Sequence, residues 1–211
     1  MSVKRCISAV VTPNAGSTTT SSGPSGARVS YDLNYRGSLW RDFGGKERAR
    51  EVNRAIVPHV DVLFGNEEDF SAALGFEVEG VDANYSSIDP QHFRALAERV
   101  LHAFPSLSFV ATTLREARSA SVNGWGALCA GEGGFWHVPL KDVEIWDRVG
   151  GGDSFASGFI YGLLEGKGAQ WALECGVAHG ALAMSTPGDT TMATLPEVLK
   201  LMGGGGARID R

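Results

Sequence analysis

Three glycines, Gly150, Gly151 and Gly152, run directly into Asp153 and Ser154 at the head of an apolar helical pattern. Glycine lets a backbone approach a ligand closely, and the free N–H groups at a helix N-terminus form an anion site that the helix dipole reinforces. A transferring phosphate would sit there. Asp153, at the head of that helix, is placed to take the proton of a hydroxyl as its oxygen attacks phosphorus. The competing reading is a glycine-rich turn with Asp153 as a plain N-cap.

Two more segments carry chemistry. In "YDLNYRGSLW", Asp32, Asn34 and Arg36 alternate, so at a strand end they are expected on one side, and a guanidinium there pairs bidentately with carboxylate or phosphate. A solvated strand end fits the same pattern. In "LFGNEEDF", Asn66, Glu67, Glu68 and Asp69 follow a strand. Clustered oxygens suit a hydrated Mg²⁺, and three acids opening a helix also simply complement its dipole.

Other chemistries are excluded. The G-x-x-x-x-G-K-[ST] pattern fails because Tyr161 and Gly168 flank Gly166-Lys167 at the required positions, and G-x-G-x-x-G fails at Phe155. Cys6, Cys129 and Cys175 are far apart, in no C-x-x-C spacing, and the histidines are scattered, which argues against a disulfide framework or a zinc site and for a reducing, cytoplasmic setting. Nineteen basic residues against twenty-four acidic give a net charge of -5. That lacks the basic stripe of a nucleic-acid binder. No apolar run approaches the ~18 residues of a membrane span.

The elements that must position these groups alternate between strand and helix. Strands are expected at 29–33, 60–64 and 107–112, a hairpin at 119–129 and 134–138, and a short strand at 143–146. Helices are expected at 46–56, with Ala49, Val52 and Ile56 on one face, at 67–74, and from Asp89-Pro90 through Phe104. Two more follow at 154–165 and 169–185. Such alternation predicts an α/β layered domain with a mainly parallel sheet, whose ligands bind beyond the carboxyl ends of the strands. The 211 residues suffice for one core, and 28 glycines among them, about 13% against a usual ~7%, are the outlier of composition.

The three segments, in this order, resemble the ribokinase-like (PfkB-type) carbohydrate kinases, with "DRVGGGD" from Asp147 to Asp153 close to that family's D-T-x-G-A-G-D signature. "DLNYRGSLW" and "GNEEDF" are similar to the wording of the 2-keto-3-deoxygluconate kinases within it. The resemblance implies a three-layer α/β sandwich and MgATP-dependent phosphorylation of an acidic keto-sugar at its terminal hydroxyl. It implies Asp153 as catalytic base and Gly150, Gly151 and Gly152 as anion hole. It assigns Arg36, Asp153 and Asp189 to the substrate, and Asn34, Arg36, Thr113, Gly150 and Gly152 to ATP. Thr113 belongs to "TLREAR", 113–118, in the place of a strand-end loop that holds the nucleotide. The family's N-x-x-E, which organises Mg²⁺ through water, appears as Asn66 to Asp69 with the shorter acid.

The resemblance covers Val29 to about Met202, the C-terminal part of such an enzyme, without its first strands and its β lid. Residues 1–28 are expected to be disordered or non-native, 12–26 in particular, and 203–211 a flexible glycine-rich tail. The partners implied are a sugar acid and ATP, with neither nucleic acid nor membrane, and a homo-oligomer is left open. A non-catalytic remnant that binds nucleotide or a partner protein is the alternative.

Overall fold

Val62, Leu63 and Phe64 are apolar on both faces and bounded by turn residues, and they form a short strand buried along its length. The computed structural model describes residues 10–11, 27–77, 89–131 and 133–204. The segment 12–26 and the tail from 205 lie outside the described residues. The chain divides into two units, residues 1–112 with 130–135, and residues 113–129 with 136–211.

In the first unit the strand order is β1 (Val10–Val11), β2 (Arg28–Asp32), β3 (Val62–Phe64) and the first part of β4 (Phe109–Ala117). β1 pairs antiparallel with β2, which begins one residue before Val29, so Val10, Val11 and Arg28 of the segment 1–28 take part in the sheet. β2 and β3 are parallel, with Tyr31 opposite Leu63, and β3 and β4 are parallel, with Leu63 opposite Val110. The carboxyl ends of these strands therefore lie together, and both short motifs leave from them.

The helices α1 (Gly37–Trp40), α2 (Gly45–Ile56), α3 (Glu67–Asp69) and α4 (Pro90–Ala103) complete this unit. α2 differs from expectation in the face it buries. Ala49 and Asn53 are buried while Val52 and Ile56 are half-buried, because the Tyr31 hydroxyl donates to Asn53 Oδ1 at 2.6 Å and satisfies the amide. α3 passes into a π-helical turn, Phe70–Leu74, instead of running on as one α-helix. α4 starts as expected, with Asp89 Oδ1 accepting the Gln91 N–H at 2.8 Å ahead of Pro90. It buries Phe93, Leu96, Ala97 and Val100, with Phe93 against Phe70 at 6.3 Å between ring centroids.

In the second unit the order is β4, β5 (Val122–Gly131) and β6 (Gly134–Glu144). Connections this short permit only antiparallel neighbours. Two expectations are corrected here. Residues 113–117 continue β4 as strand and are not a loop, since a hairpin partner supplies their backbone hydrogen bonds. Residues 143–144 belong to the long strand β6 rather than to a separate one.

Helices α5 (Gly151–Leu164), α6 (Ala169–Met184) and α7 (Leu195–Met202) follow. α5 and α6 pack closely because they present glycine to each other. A Cβ on Gly158 would lie 2.8 Å from the Cys175 carbonyl oxygen, and one on Gly162 2.6 Å from Ala172 Cα. Much of the excess glycine is thus helix packing. α7 was not expected, although Thr194, Pro196 and Glu197 signal its start: the Glu197 carboxylate accepts from the Thr194 N–H and hydroxyl, both at 2.7 Å. Among the described residues no helix is long and apolar enough to cross a membrane.

Candidate active site

The glycine run begins where the chain leaves β6 and is fastened to the end of α6. The N–H groups of Trp146 and Asp147 donate to the Met184 carbonyl at 2.9 and 3.3 Å. Asp147 Oδ1 accepts the Val149 N–H at 3.0 Å and Oδ2 the Gly188 N–H at 3.3 Å. These two amides, Val149 first, hold its carboxyl below the usual carboxylate range.

Gly150 caps α5 with φ +80°, a left-handed conformation that favours glycine, and a Cβ there would strike the carbonyl oxygen of Asp189. Gly151 is buried, and a Cβ on it would meet the Met184 side chain at 2.9 Å. Gly152 is exposed, with open space where a Cβ would lie. The first N–H groups of this 14-residue helix have no carbonyl within the helix to bond, the local arrangement that can receive an anion.

Asp153 lies within the first turn, so the helix starts two residues before it and Gly150, not Asp153, is the cap. Its carboxylate is exposed and has no hydrogen-bond partner among the described residues. A plain N-cap would have bonded a backbone N–H, so that reading is set aside. Asp189 is exposed on the turn after α6 and accepts from the Thr190 hydroxyl at 3.2 Å. Gly150, Gly151, Gly152, Asp153 and Asp189 are thereby gathered on one side of the second unit. Thr113, in the same unit, is a half-buried strand residue.

The first unit carries the other group. β2 ends at Asp32, so Asp32, Asn34 and Arg36 do not alternate along a strand. Asp32 Oδ1 accepts the Asn34 N–H at 3.1 Å, and Asn34 turns the chain with φ +37°. The Tyr35 N–H donates to Asp69 Oδ1 at 2.7 Å. Asp69 Oδ2 accepts the Asn66 N–H and Asn66 Oδ1 the Asp69 N–H, both at 2.9 Å, a reciprocal capping box at the start of α3. Arg36 is exposed at the start of α1, in no ion pair among the described residues, and its charge favours the ionised form of Asp69.

Both Asp69 oxygens and the Asn66 oxygen are taken by backbone N–H groups, and Asp69 is only 6% exposed. No group of three or more His, Cys, Asp or Glu gathers among the described residues. Burial, the larger effect, raises the Asp69 carboxyl against the pull of the two amides. Glu67, to which sequence reasoning gave no role of its own, is 3% exposed with Oε1 unpartnered, and burial pushes its carboxyl up to about 7. Asp147 was likewise read only as the start of a motif. The missed signal was its position ahead of a left-handed glycine.

A parallel β2-β3-β4 core joined through helices, followed by a hairpin and a glycine-capped helix, defines the ribokinase-like class of α/β fold. Residues 6–196 match the pfkB family carbohydrate kinases, and the chain belongs to that family. It is 31% identical over 186 residues to a 2-dehydro-3-deoxygalactonokinase of Haloferax volcanii, covering 88% of this chain and 50% of that protein. The crystal structure of a 2-dehydro-3-deoxygluconokinase from Thermotoga maritima superposes with TM-score 0.75 at 37% identity, over 85% of this chain and 51% of the other. A PfkB family carbohydrate kinase from Listeria grayi superposes at TM-score 0.70 and 23% identity, over 84% of this chain and 51% of the other. The chain spans about half the length of the relatives it matches.

Proposed function

We propose that this chain carries the phosphoryl-transfer centre of a sugar kinase, with an acidic keto-sugar resembling 2-keto-3-deoxygluconate as acceptor and ATP, as its magnesium complex, as donor. Residues 29–202 form the catalytic part in this reading. The observation that carries it is Asp153: an exposed carboxylate, without a hydrogen-bond partner among the described residues, on the first turn of a helix whose first N–H groups have no intrahelical acceptor. The carboxylate takes the proton of the sugar's terminal hydroxyl as that oxygen bonds to the γ-phosphorus. The bond from γ-phosphorus to the bridging oxygen breaks, and ADP leaves with the electron pair. The Gly151 and Gly152 N–H groups stabilise the negative charge of the transferring group. Arg36 and Asp189 bind substrate, and Asn34, Arg36 and Thr113 bind nucleotide. The names of the two most similar relatives described above support the substrate class.

A second reading, a non-catalytic remnant that binds nucleotide or a partner protein, draws on the exposure of Trp146, Val149 and Met192 at 75%, 58% and 88%. ADP release measured with ATP and 2-keto-3-deoxygluconate separates the two. Sugar-dependent turnover that falls by about 10²-fold or more in Asp153→Asn, with the fold intact, supports the kinase. No turnover by the folded wild-type chain sinks it.

A further inference from the structure

A groove of about 240 Å³ lies between α5, α6 and the start of α7, wholly within the second unit. Ser157 and Tyr161 line it from α5, Cys175 and His179 from α6, and Leu195 and Val198 from α7. The two α6 residues stand one helical repeat apart, at i and i+4, so they share a face with Cβ atoms about 5–6 Å apart. We infer that the Cys175 thiolate and the His179 imidazole form a two-ligand site for a thiophilic cation of low coordination number, Cu(I). The inference is independent of the kinase reading, which gives none of these residues a part in phosphoryl transfer.

His179 is already arranged as a ligand. A carbonyl oxygen only accepts, so the His179 Nδ1 that lies 2.9 Å from the Ser154 carbonyl carries the ring proton. The Ser157 hydroxyl lies 3.0 Å from the same nitrogen and donates to the Ser154 carbonyl at 3.0 Å. These bonds fix the tautomer and the ring angle, and Nε2 keeps its lone pair with no hydrogen-bond partner among the described residues. Burial lowers the His179 pKa against the pull of the Ser154 bond, so at pH 7 the ring is neutral, the form that ligates.

Cys175 is in no disulfide and is 2% exposed. Burial raises its thiol to about 11, so it meets the ion protonated. Binding forms one S–Cu and one N–Cu bond and releases the thiol proton to solvent, with no change of oxidation state. An ion bonded ~2.3 Å from sulfur and ~2.0 Å from nitrogen spans the gap between two such side chains. Two protein ligands, one of them a soft thiolate, suit Cu(I), whereas a structural zinc takes four. The other titratable lining group, Tyr161, is pushed above its ordinary range, chiefly by burial, and stays neutral, and α7 lines the groove with apolar side chains.

The test is an anaerobic titration of the full 211-residue chain with Cu(I) delivered from a colorimetric chelator, for wild type, Cys175→Ser, His179→Asn and Cys6→Ser. Wild type is expected to take up one equivalent, with X-ray absorption showing one sulfur and one nitrogen neighbour. Cys175→Ser and His179→Asn should each weaken binding by about 100-fold or more, beyond the ~10- to 100-fold that loss of an outer-shell partner costs. His179→Asn keeps an N–H for the Ser154 carbonyl, so it removes the ligand without removing that bond. Cys6→Ser should bind as wild type does. One proton leaves per ion, so affinity should rise about tenfold from pH 7 to pH 8. Unchanged affinity in either folded variant, or no copper taken up by folded wild-type protein, overturns the site. A shell of sulfur without nitrogen overturns the pairing with His179, and because that shell is read on wild-type protein it decides the matter even where Cys175→Ser does not fold.

Discussion

Asp69 Oδ1 accepts the backbone N–H of Tyr35 at 2.7 Å, across 34 residues of sequence. The bond joins the segment that carries Asn34 and Arg36 to the capping box of α3, so two motifs that leave adjacent parallel strands are held at one place. Asp69 acts here as a structural tie. Its burial costs desolvation, which the charge-assisted bonds to the Tyr35 and Asn66 N–H groups offset only in part.

Removing that tie should destabilise the first unit. Asp69→Ala loses two bonds to a charged acceptor, each worth ~1.5–3 kcal/mol, so a loss of about 3 kcal/mol is expected in urea denaturation. Asp69→Asn, with one acceptor oxygen, should fall between. A change below ~1 kcal/mol for the alanine variant would show that Asp69 does not carry this junction.

Glu67 makes stability depend on pH. Its folded-state carboxyl is raised from 4.5 to about 7 by burial, so the folded protein binds this proton more tightly than the unfolded chain does. The contribution is fully present below pH 4.5 and is lost as pH rises through about 7. The difference between the two limits is about 3 kcal/mol. Asp69, raised in the same direction, adds to the slope. Urea midpoints at pH 5 and pH 8 should differ in wild type and differ much less in Glu67→Gln. An equal slope in both proteins would remove Glu67 as its source.

Two neighbouring glycines should respond oppositely to alanine. Gly150→Ala meets both a left-handed φ of +80° and the Asp189 carbonyl, and should lower stability by about 3 kcal/mol. Gly152→Ala has open space for its Cβ and sits inside the first turn of α5, so it should be neutral or stabilising by up to ~1 kcal/mol. Thermal denaturation of the two variants checks this, and equal losses would contradict it.

What the residues determined by themselves was local. The Asp89-Pro90 start and the spacing of Phe93, Leu96, Ala97 and Val100 specify α4, because a helix bonds each N–H to a carbonyl four residues back and its pattern is complete within one segment. The glycine run into Asp153 marks a helix start for the same reason, and the parallel strands follow from short apolar runs between helices. The tertiary structure decided the rest. It extended β4 through 113–117 by supplying a hairpin partner, buried Asn53 by giving it the Tyr31 hydroxyl, and placed the Gly158 and Gly162 backbones against α6. It also gave the Asp69 oxygens to Tyr35 and Asn66, and the Asp147 oxygens to Val149 and Gly188. Which donor a carboxylate meets depends on how segments tens of residues apart close on one another, and no local period of the chain encodes that.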